Sequence, residues 1–424
     1  MLTSVCGINW GDEGKGRMVD LLSREFDIVC RYQGGNNAGH TVINERGKFI
    51  LNLLPSGILR EEVVNVLGPG MVIDIRHLVE EIEHLRAAGV VITPANLKIS
   101  DKAVITMPYH VLLDGLEEER LADKKFGSTR RGIAPVYADK YMKKAFRMGE
   151  LLNPDLLYER ARGIIEWKNL TVVGGYKHAP VTLDEVIAYF ETYGAPLKSY
   201  ICDTGAYLNA AHKAGKKIMF EAQLGALRDI DFGIYPYTSS SSTIAAYAPI
   251  GAGVPNLKLD HSIGIMKAYS TCVGEGPFTA EYFGDKATKL REAGGEYGAA
   301  TGRPRRVGPF DAVASAYGIR CQGADEIALT KLDVLSDYEE LEICTAYELD
   351  GKIIREFPFT DVLDTCKPVF EKVKGWNRDI SKCRKAKDLP KEALDYIRLL
   401  EKLCSCKITY VSVGAERDAY IKLK

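Results

Sequence analysis

Short apolar runs punctuate the chain at residues 2–8, 28–31, 63–67, 97–100, 217–220, 326–330, 341–347 and 408–413. Their brevity and their content of Val, Ile and Leu predict buried strands. Between several of them, at 15–26, 74–88, 109–123 and 390–403, apolar residues return every three or four positions, which predicts helices. The last of these opens on Pro390, whose fixed φ suits a first helical turn. Strands alternating with helices predict an α/β fold with a mainly parallel central sheet flanked by helices. Ligands of such sheets sit beyond the carboxyl ends of the strands, so the loops that follow the apolar runs are where chemistry is sought.

No internal repeat, low-complexity tract or long linker interrupts the pattern, and the serine run 239–242 is short. A single continuous unit over residues 1–424 is the simplest expectation. The composition, 46% hydrophobic and 27% charged, is that of an ordinary soluble protein. With 56 basic against 57 acidic residues the net charge is -1, which offers no footprint for nucleic acid or an anionic membrane. Phosphate binding, if present, must come from local sites. There is no apolar stretch of about 18 residues that could span a bilayer, and the first residues do not read as a signal peptide. The ten cysteines are scattered, and the close pair Cys404 and Cys406 has one residue between them, too few for a zinc knuckle. They are expected to be reduced thiols of a cytoplasmic protein.

Five loops carry candidate chemistry. Gly11-Asp12-Glu13-Gly14-Lys15-Gly16-Arg17 follows a predicted strand and opens a predicted helix. Its glycines let backbone approach a ligand, the helix terminus offers free N–H groups to phosphate, and Lys15 adds charge. It is no Walker A loop, since Asn9 and Gly16 stand where that pattern needs Gly and Ser or Thr. Asp12 beside a phosphate cradle makes sense as a metal ligand, or as a base next to a metal. Gln33-Gly34-Gly35-Asn36-Asn37-Ala38-Gly39-His40-Thr41 follows the second strand, with two amides to read a polar edge and a histidine to move a proton. Gly127-Ser128-Thr129-Arg130-Arg131-Gly132-Ile133-Ala134-Pro135, a doubly basic turn before a helix, is an anion site or only a solvated loop. Ala299-Ala300-Thr301-Gly302-Arg303-Pro304-Arg305-Arg306 sets forked guanidinium donors beside Gly and Thr, which favours a substrate loop over a basic surface loop. Thr330-Lys331-Leu332-Asp333 is a structural turn, or a guanine reader whose Asp accepts from N1–H and the 2-amino group.

Taken together the chain resembles the adenylosuccinate synthetase family, with matches in order at 10–16, 31–41, 54–59, 127–137, 229–237, 267–278, 298–306, 329–335 and 411–417. The resemblance implies a GTP-dependent ligase acting at the committed step from IMP towards AMP: the 6-oxygen of IMP attacks the γ-phosphate of GTP, and the aspartate amine then displaces phosphate. It implies Asp12 and His40 as catalytic residues and Mg²⁺ on Asp12 and the Gly39 carbonyl. It places GTP on Gly11, Asp12, Glu13, Gly14, Lys15, Gly16, Arg17, Gly39, His40, Thr41, Arg305, Lys331, Leu332, Asp333, Ser412, Val413 and Gly414. IMP falls on Asp12, Glu13, Gly14, Lys15, Asn37, Ala38, Gly39, His40, Thr129, Lys143, Gln223, Ser239 and Arg303. L-aspartate falls on Ala299, Ala300, Thr301, Gly302, Arg303 and Arg305. A homodimer is implied as well, with Lys143 where the family commonly carries an Arg that crosses to the neighbouring subunit. Further departures from the family pattern are Arg17 for Lys, Phe232 for His, Cys272 for Arg, Ala300 for Thr, Pro309 for Trp, and the shifted run 221–225 around Gln223. A GTP-hydrolysing switch protein is the main rival from another class, but it has no use for the arginine loop or for the polar loop at 36–40.

Overall fold

The computed structural model describes residues 1–44, 46–298 and 302–423. Ten strands hydrogen-bond into one central sheet: β1 (Leu2–Gly7), β2 (Ile28–Arg31), β3 (Val64–Leu67), β4 (Leu97–Ser100), β5 (Ile201–Cys202), β6 (Ile218–Glu221), β7 (His261–Lys267), β8 (Glu326–Thr330), β9 (Lys407–Ser412) and β10 (Tyr420–Lys422). Their spatial order is β5-β4-β3-β2-β6-β1-β7-β8-β9-β10. Neighbours run parallel until the last pair, β9 and β10, which is antiparallel. β1 lies near the middle, with Leu2 opposite Ile218 on one side and Thr3 opposite His261 on the other. After β1 the chain builds outward in one direction, and after β7 it builds in the other, so β1 and β7 flank the point where the winding reverses.

Helices close both faces because their apolar stripes match the sheet. In α1 (Lys15–Ser23), Met18, Val19 and Leu22 pack with Val5, Val29, Met219 and Ile263. The helix stops at Ser23, short of the expected 26, and Phe26 packs beneath it from the turn into β2. Next come α2 (Ile75–Ala87), capped by the Asp74 carboxylate, and α3 (Pro108–Leu121), with Pro at its start. They are followed by α4 (Ile133–Tyr141), α5 (Pro154–Asn169), α6 (Gly284–Gly294), α7 (Ala312–Gln322) and α8 (Lys391–Cys404). α8 buries Ala393, Tyr396, Ile397 and Leu400, the stripe expected from sequence, in a cluster with Ile319, Ile327 and Leu329. Among the described residues no helix is long and apolar enough to cross a membrane, and all ten cysteines are free.

Two differences from the pattern reading have physical causes. The run at 341–347 is a strand, Glu340–Leu349, but it belongs to a separate four-stranded sheet with Lys352–Ile354, Lys367–Lys374 and Phe310–Asp311. Its burial alternates at the start, Leu341 and Ile343 inward, as for a sheet covered on one face. β7 gave no apolar run, because His261, Ser262 and Gly264 dilute it, although six of its seven residues are buried. Gly264 explains itself: a Cβ there would lie 2.6 Å from Ile8 Cδ1 and 2.7 Å from Ile327 Cδ1. The side chains flanking the central strands fill the room that a larger residue would need.

Gly264→Val is therefore expected to overpack the sheet and lower stability by about 1–3 kcal/mol. Urea unfolding would show this as a lower midpoint with an unchanged slope; an unchanged midpoint would mean that this contact relaxes without cost.

Candidate active site

Every predicted site loop for which coordinates are described, apart from the exposed turn carrying Thr129 and the exposed segment carrying Lys143, leaves or flanks the carboxyl edge of the central sheet. The phosphate loop between β1 and α1 is built from left-handed backbone: Gly11 has φ +99°, Asp12 +58° and Gly14 +95°. Gly14 caps α1, so the unpaired N–H groups of that helix open towards the loop. The loop is held from within by Glu13. Its Oε1 accepts from the backbone N–H of Asn9 (3.0 Å) and of Gly11 (2.8 Å), and its Oε2 accepts from Lys15 Nζ at 2.6 Å. Glu13 is buried, so among the two acids of the loop it supports the backbone while Asp12 is the one left partly exposed. Thr330 Oγ1, at the end of β8, donates to the Glu13 carbonyl at 2.6 Å, which joins the phosphate loop to the turn at Lys331.

His40 opens a hairpin strand and packs against the start of α1; a Cβ on Gly16 would be 2.5 Å from His40 Cβ. That glycine is needed for close approach. His40 Nδ1 lies 2.5 Å from Glu221 Oε1, at the end of β6, and Ser56 donates to the same carboxylate from its N–H (2.8 Å) and hydroxyl (2.7 Å). Burial alone would raise the Glu221 carboxyl, but His40 and Arg31 hold it below the usual carboxylate range. Burial pushes the His40 imidazole below its usual value, against the pull of Glu221. An ionised Glu221 accepts, so Nδ1 carries the proton and Nε2, buried and without a hydrogen-bond partner, points its lone pair elsewhere.

Next to this pair, Gln223 Oε1 accepts from the fully buried Arg31, while Gln223 Nε2 donates to Asn37 Oδ1 at 2.8 Å. Gly34, at φ +75°, makes this possible, since a Cβ there would sit 1.4 Å from Gln223 Nε2. The amide register around 221–225 thus puts Gln223 beside Asn37. Asn52 Nδ2 donates to the Ala38 carbonyl at 2.9 Å and fixes the loop before Gly39.

On the other side of β1 a second buried carboxylate gathers cations. Glu296 Oε1 accepts from Lys267 Nζ (2.8 Å), Lys331 Nζ (3.0 Å) and the Tyr269 hydroxyl, and Oε2 accepts from Arg305 (2.7 Å). Against the upward push of burial, these partners hold its carboxyl far below the usual range. Burial pushes the Lys267 ammonium down to about 8. The other arm of Arg305 meets Asp12 Oδ2 at 2.8 Å, which ties the arginine loop to the phosphate loop. Asp333 is half-buried; burial raises its carboxyl and its shielded Oδ1 has no hydrogen-bond partner. Lys331, in left-handed conformation, turns the chain so that Asp333 sits in the short helix Leu332–Leu335. Arg17 reaches across to the Ser412 hydroxyl and the carbonyls of Glu416 (2.5 Å) and Ala419 (2.9 Å), binding α1 to the loop of Ser412, Val413 and Gly414.

The structure thus brings together the loops of Asp12, His40, Gln223, Arg305, Asp333 and Ser412. Ser239 lies nearby, its N–H donating to Arg228 O at 2.9 Å, with Ser241 bridging to Gln33. Thr129 stands on an exposed turn fixed by Asp114, which accepts from Ser128 (2.6 Å) and from the Gly132 N–H (2.8 Å). Lys143 is exposed just past α4, beside the exposed Tyr141 and Met142. Arg303 is exposed, and Gly302 donates to the Gly298 carbonyl. Ala299, Ala300 and Thr301 lie outside the described residues. Sequence reasoning missed Glu221, Glu296, Lys267 and Arg31; the signal available was a single charge at the end of an apolar run for Glu221 and Arg31, only a glycine pair before it for Glu296, and for Lys267 a strand that its own polar residues disguise.

A family model described as adenylosuccinate synthetase matches residues 4–421. Adenylosuccinate synthetase of Halothermothrix orenii is 44% identical over 419 residues, covering 99% of this chain and 97% of its own. That of Crocosphaera subtropica is 45% identical over 418 residues, 98% of this chain and 93% of its own. Among solved structures, the fully ligated adenylosuccinate synthetase of Plasmodium falciparum superposes with a TM-score of 0.93 at 36% identity, over 100% of this chain and 99% of that one. The succinoaminodeoxyadenylate synthetase of cyanophage S-2L, at 19% identity and a TM-score of 0.61, shares the fold. With one family model running from β1 to β10 and relatives of this identity aligned end to end, the chain belongs to the adenylosuccinate synthetase family.

Proposed function

We propose that the loops at this sheet edge carry out the family reaction, with Asp12 as base and His40 as proton donor. The chain is a GTP-dependent ligase that forms a C–N bond between IMP and L-aspartate. The observation that supports the residue roles best is the packing of Gly16 on His40, which sets an imidazole with a bare, buried Nε2 against the helix terminus that faces phosphate. In the first step the Asp12 carboxylate takes the N1 proton of IMP, which raises the electron density of the 6-oxygen; that oxygen attacks the γ-phosphorus of GTP and GDP leaves. In the second, the aspartate amine, as the free base, adds at C6, phosphate departs with the C–O bond electrons, and the proton shed by the nitrogen leaves on the phosphate. To donate from Nε2 towards the phosphates or the 6-oxygen, His40 must first gain a proton, and Glu221 behind Nδ1 stabilises the cation so formed.

Magnesium fits the donor set. Asp12 is the one acid of the phosphate loop not consumed by internal hydrogen bonds, and its partner Arg305 is a positive charge that a cation can replace. Among the described residues no group of three or more His, Cys, Asp or Glu side chains could hold a metal unaided. A single carboxylate with the Gly39 carbonyl would leave the remaining positions to phosphate oxygens and water, as Mg²⁺ prefers. When bound, the ion neutralises charge on the transferring phosphoryl group.

For the substrates, Asp333 supplies an unpaired acceptor for guanine, and Asn37 offers its amide to IMP, with Gln223 held behind it by the buried Arg31. Arg303 with the loop from Ala299 to Arg305 takes the aspartate carboxylates. A homodimer through the surface at Lys143, a single folded unit over 1–424 and a cytoplasmic location complete the reading; the exposed apolar residues Tyr141 and Met142 beside Lys143 support the first.

Asp12→Asn is expected to lower kcat by about 10² to 10⁴-fold, the range for removing a positioned acid-base group, with folding unchanged. Steady-state synthesis above about a tenth of wild type would rule out the assignment. Asp333→Asn turns one guanine acceptor into a donor; the kcat/KM ratio of GTP to xanthosine triphosphate should fall, and an unchanged ratio would mean that Asp333 does not read the base. Glu221→Gln removes the negative charge that favours the protonated His40. The imidazole pKa then drops further, so the alkaline fall of kcat should move to lower pH, with kcat reduced about 10²-fold. A pH profile that coincides with wild type after scaling would remove the dyad from the mechanism.

A further inference from the structure

Away from the substrate loops, a pocket of about 300 Å³ opens between α6, α8 and the second sheet. Its volume is at the lower end of small-molecule sites. Aromatic side chains line it on several sides: Tyr269, Tyr282, Phe310, Tyr338 and Tyr396. Three lysines and two glutamates complete the lining, and their pairing is uneven. Lys286 meets Glu342 at 3.0 Å and Lys372 meets Glu340 at 2.7 Å. Lys289 has no carboxylate partner among the described residues; its Nζ lies 4.3 Å from the centre of the Tyr338 ring. The pocket therefore combines aromatic walls with one excess positive charge. Flat walls select a planar ring, and the lysine over an aromatic face selects an anion.

We propose that this pocket is a second binding site, separate from the substrate loops, for a planar aromatic molecule carrying one negative charge. Its walls are the far ends of elements that serve the substrates. Tyr269 donates to Glu296, which holds Lys331 and Arg305. Leu335 closes the short helix that carries Asp333. Lys286, Lys289 and Leu290 belong to α6, which runs into the arginine loop. An occupant that shifts Tyr269 or Leu335 changes the fit of GTP, and by linkage GTP changes the fit of the occupant by the same factor.

Pro309 gives the site a handle, because it lines the pocket and has no part in the catalytic machinery. Pro309→Trp would fill the pocket with a large ring. The test is isothermal titration of the full-length protein with 1-naphthoate, in the presence of saturating IMP and a non-hydrolysable GTP analogue, with neutral 1-naphthylmethanol as the paired control. The proposal expects one naphthoate per chain, bound about tenfold more tightly than the alcohol. It expects that affinity to fall about tenfold in Lys289→Met and binding to vanish in Pro309→Trp, with kcat of the latter within about twofold of wild type. Should Pro309→Trp fail to fold, the Lys289→Met titration decides alone. No binding to wild type at about 5 mM, equal affinity for acid and alcohol, or affinity unaltered by Lys289→Met would each overturn the site.

Discussion

Glu296 has no exposed surface, yet Lys267, Lys331, Tyr269 and Arg305 all converge on it. A lone buried carboxylate is costly, and so are lone buried cations; together they satisfy each other, and removing any one leaves the rest uncompensated. The consequence is geometric. Lys267 ends β7, Lys331 follows β8 and Arg305 sits in the loop after α6, so three chain segments distant in sequence are fixed to one point beside the phosphate loop. Arg305 extends that constraint to Asp12, and Thr330 extends it to the Glu13 carbonyl. Glu221 does the same on the opposite side of β1, binding His40 and the turn at Ser56. Between these two buried acids lies the phosphate loop, whose own acid, Glu13, repeats the device on a smaller scale.

The pattern of apolar runs located seven of the ten central strands, because parallel strands buried on both faces leave unbroken hydrophobic signals; the two-residue β5 and the edge strand β10 left none. All eight expected runs are strands. β7 escaped for the same reason that it works: Gly264 must be small where Ile8 and Ile327 meet, and a glycine in a short run looks like a turn. Among the site residues, those in glycine-rich loops were legible, since Gly11, Gly14 and Gly34 occupy backbone that other residues adopt only with strain. Glu221 and Glu296 were not, because a buried acid is defined by partners that tertiary structure brings from far along the chain.

Arg17 shows what a guanidinium at the head of α1 can do. Its fork reaches Ser412 and two carbonyls at once, a set of contacts that a single ammonium could not hold in the same geometry. Cys272 lies 3.1 Å from a guanidinium nitrogen of Arg228, which also donates to the Val273 carbonyl.

The placement of β1 has a consequence for how the chain comes into being. Its two neighbours are β6 and β7, so the first strand made must wait for residues 218–267 before either edge is covered. At typical synthesis rates that interval is roughly 10 to 50 s, far longer than the collapse of a segment this size. During it, an apolar strand with two open edges is a template for wrong partners. The nascent chain therefore depends on early shelter, by α1 folding back or by helpers at the ribosome, and amino-terminal fragments ending before about residue 267 are expected to aggregate where the whole chain does not.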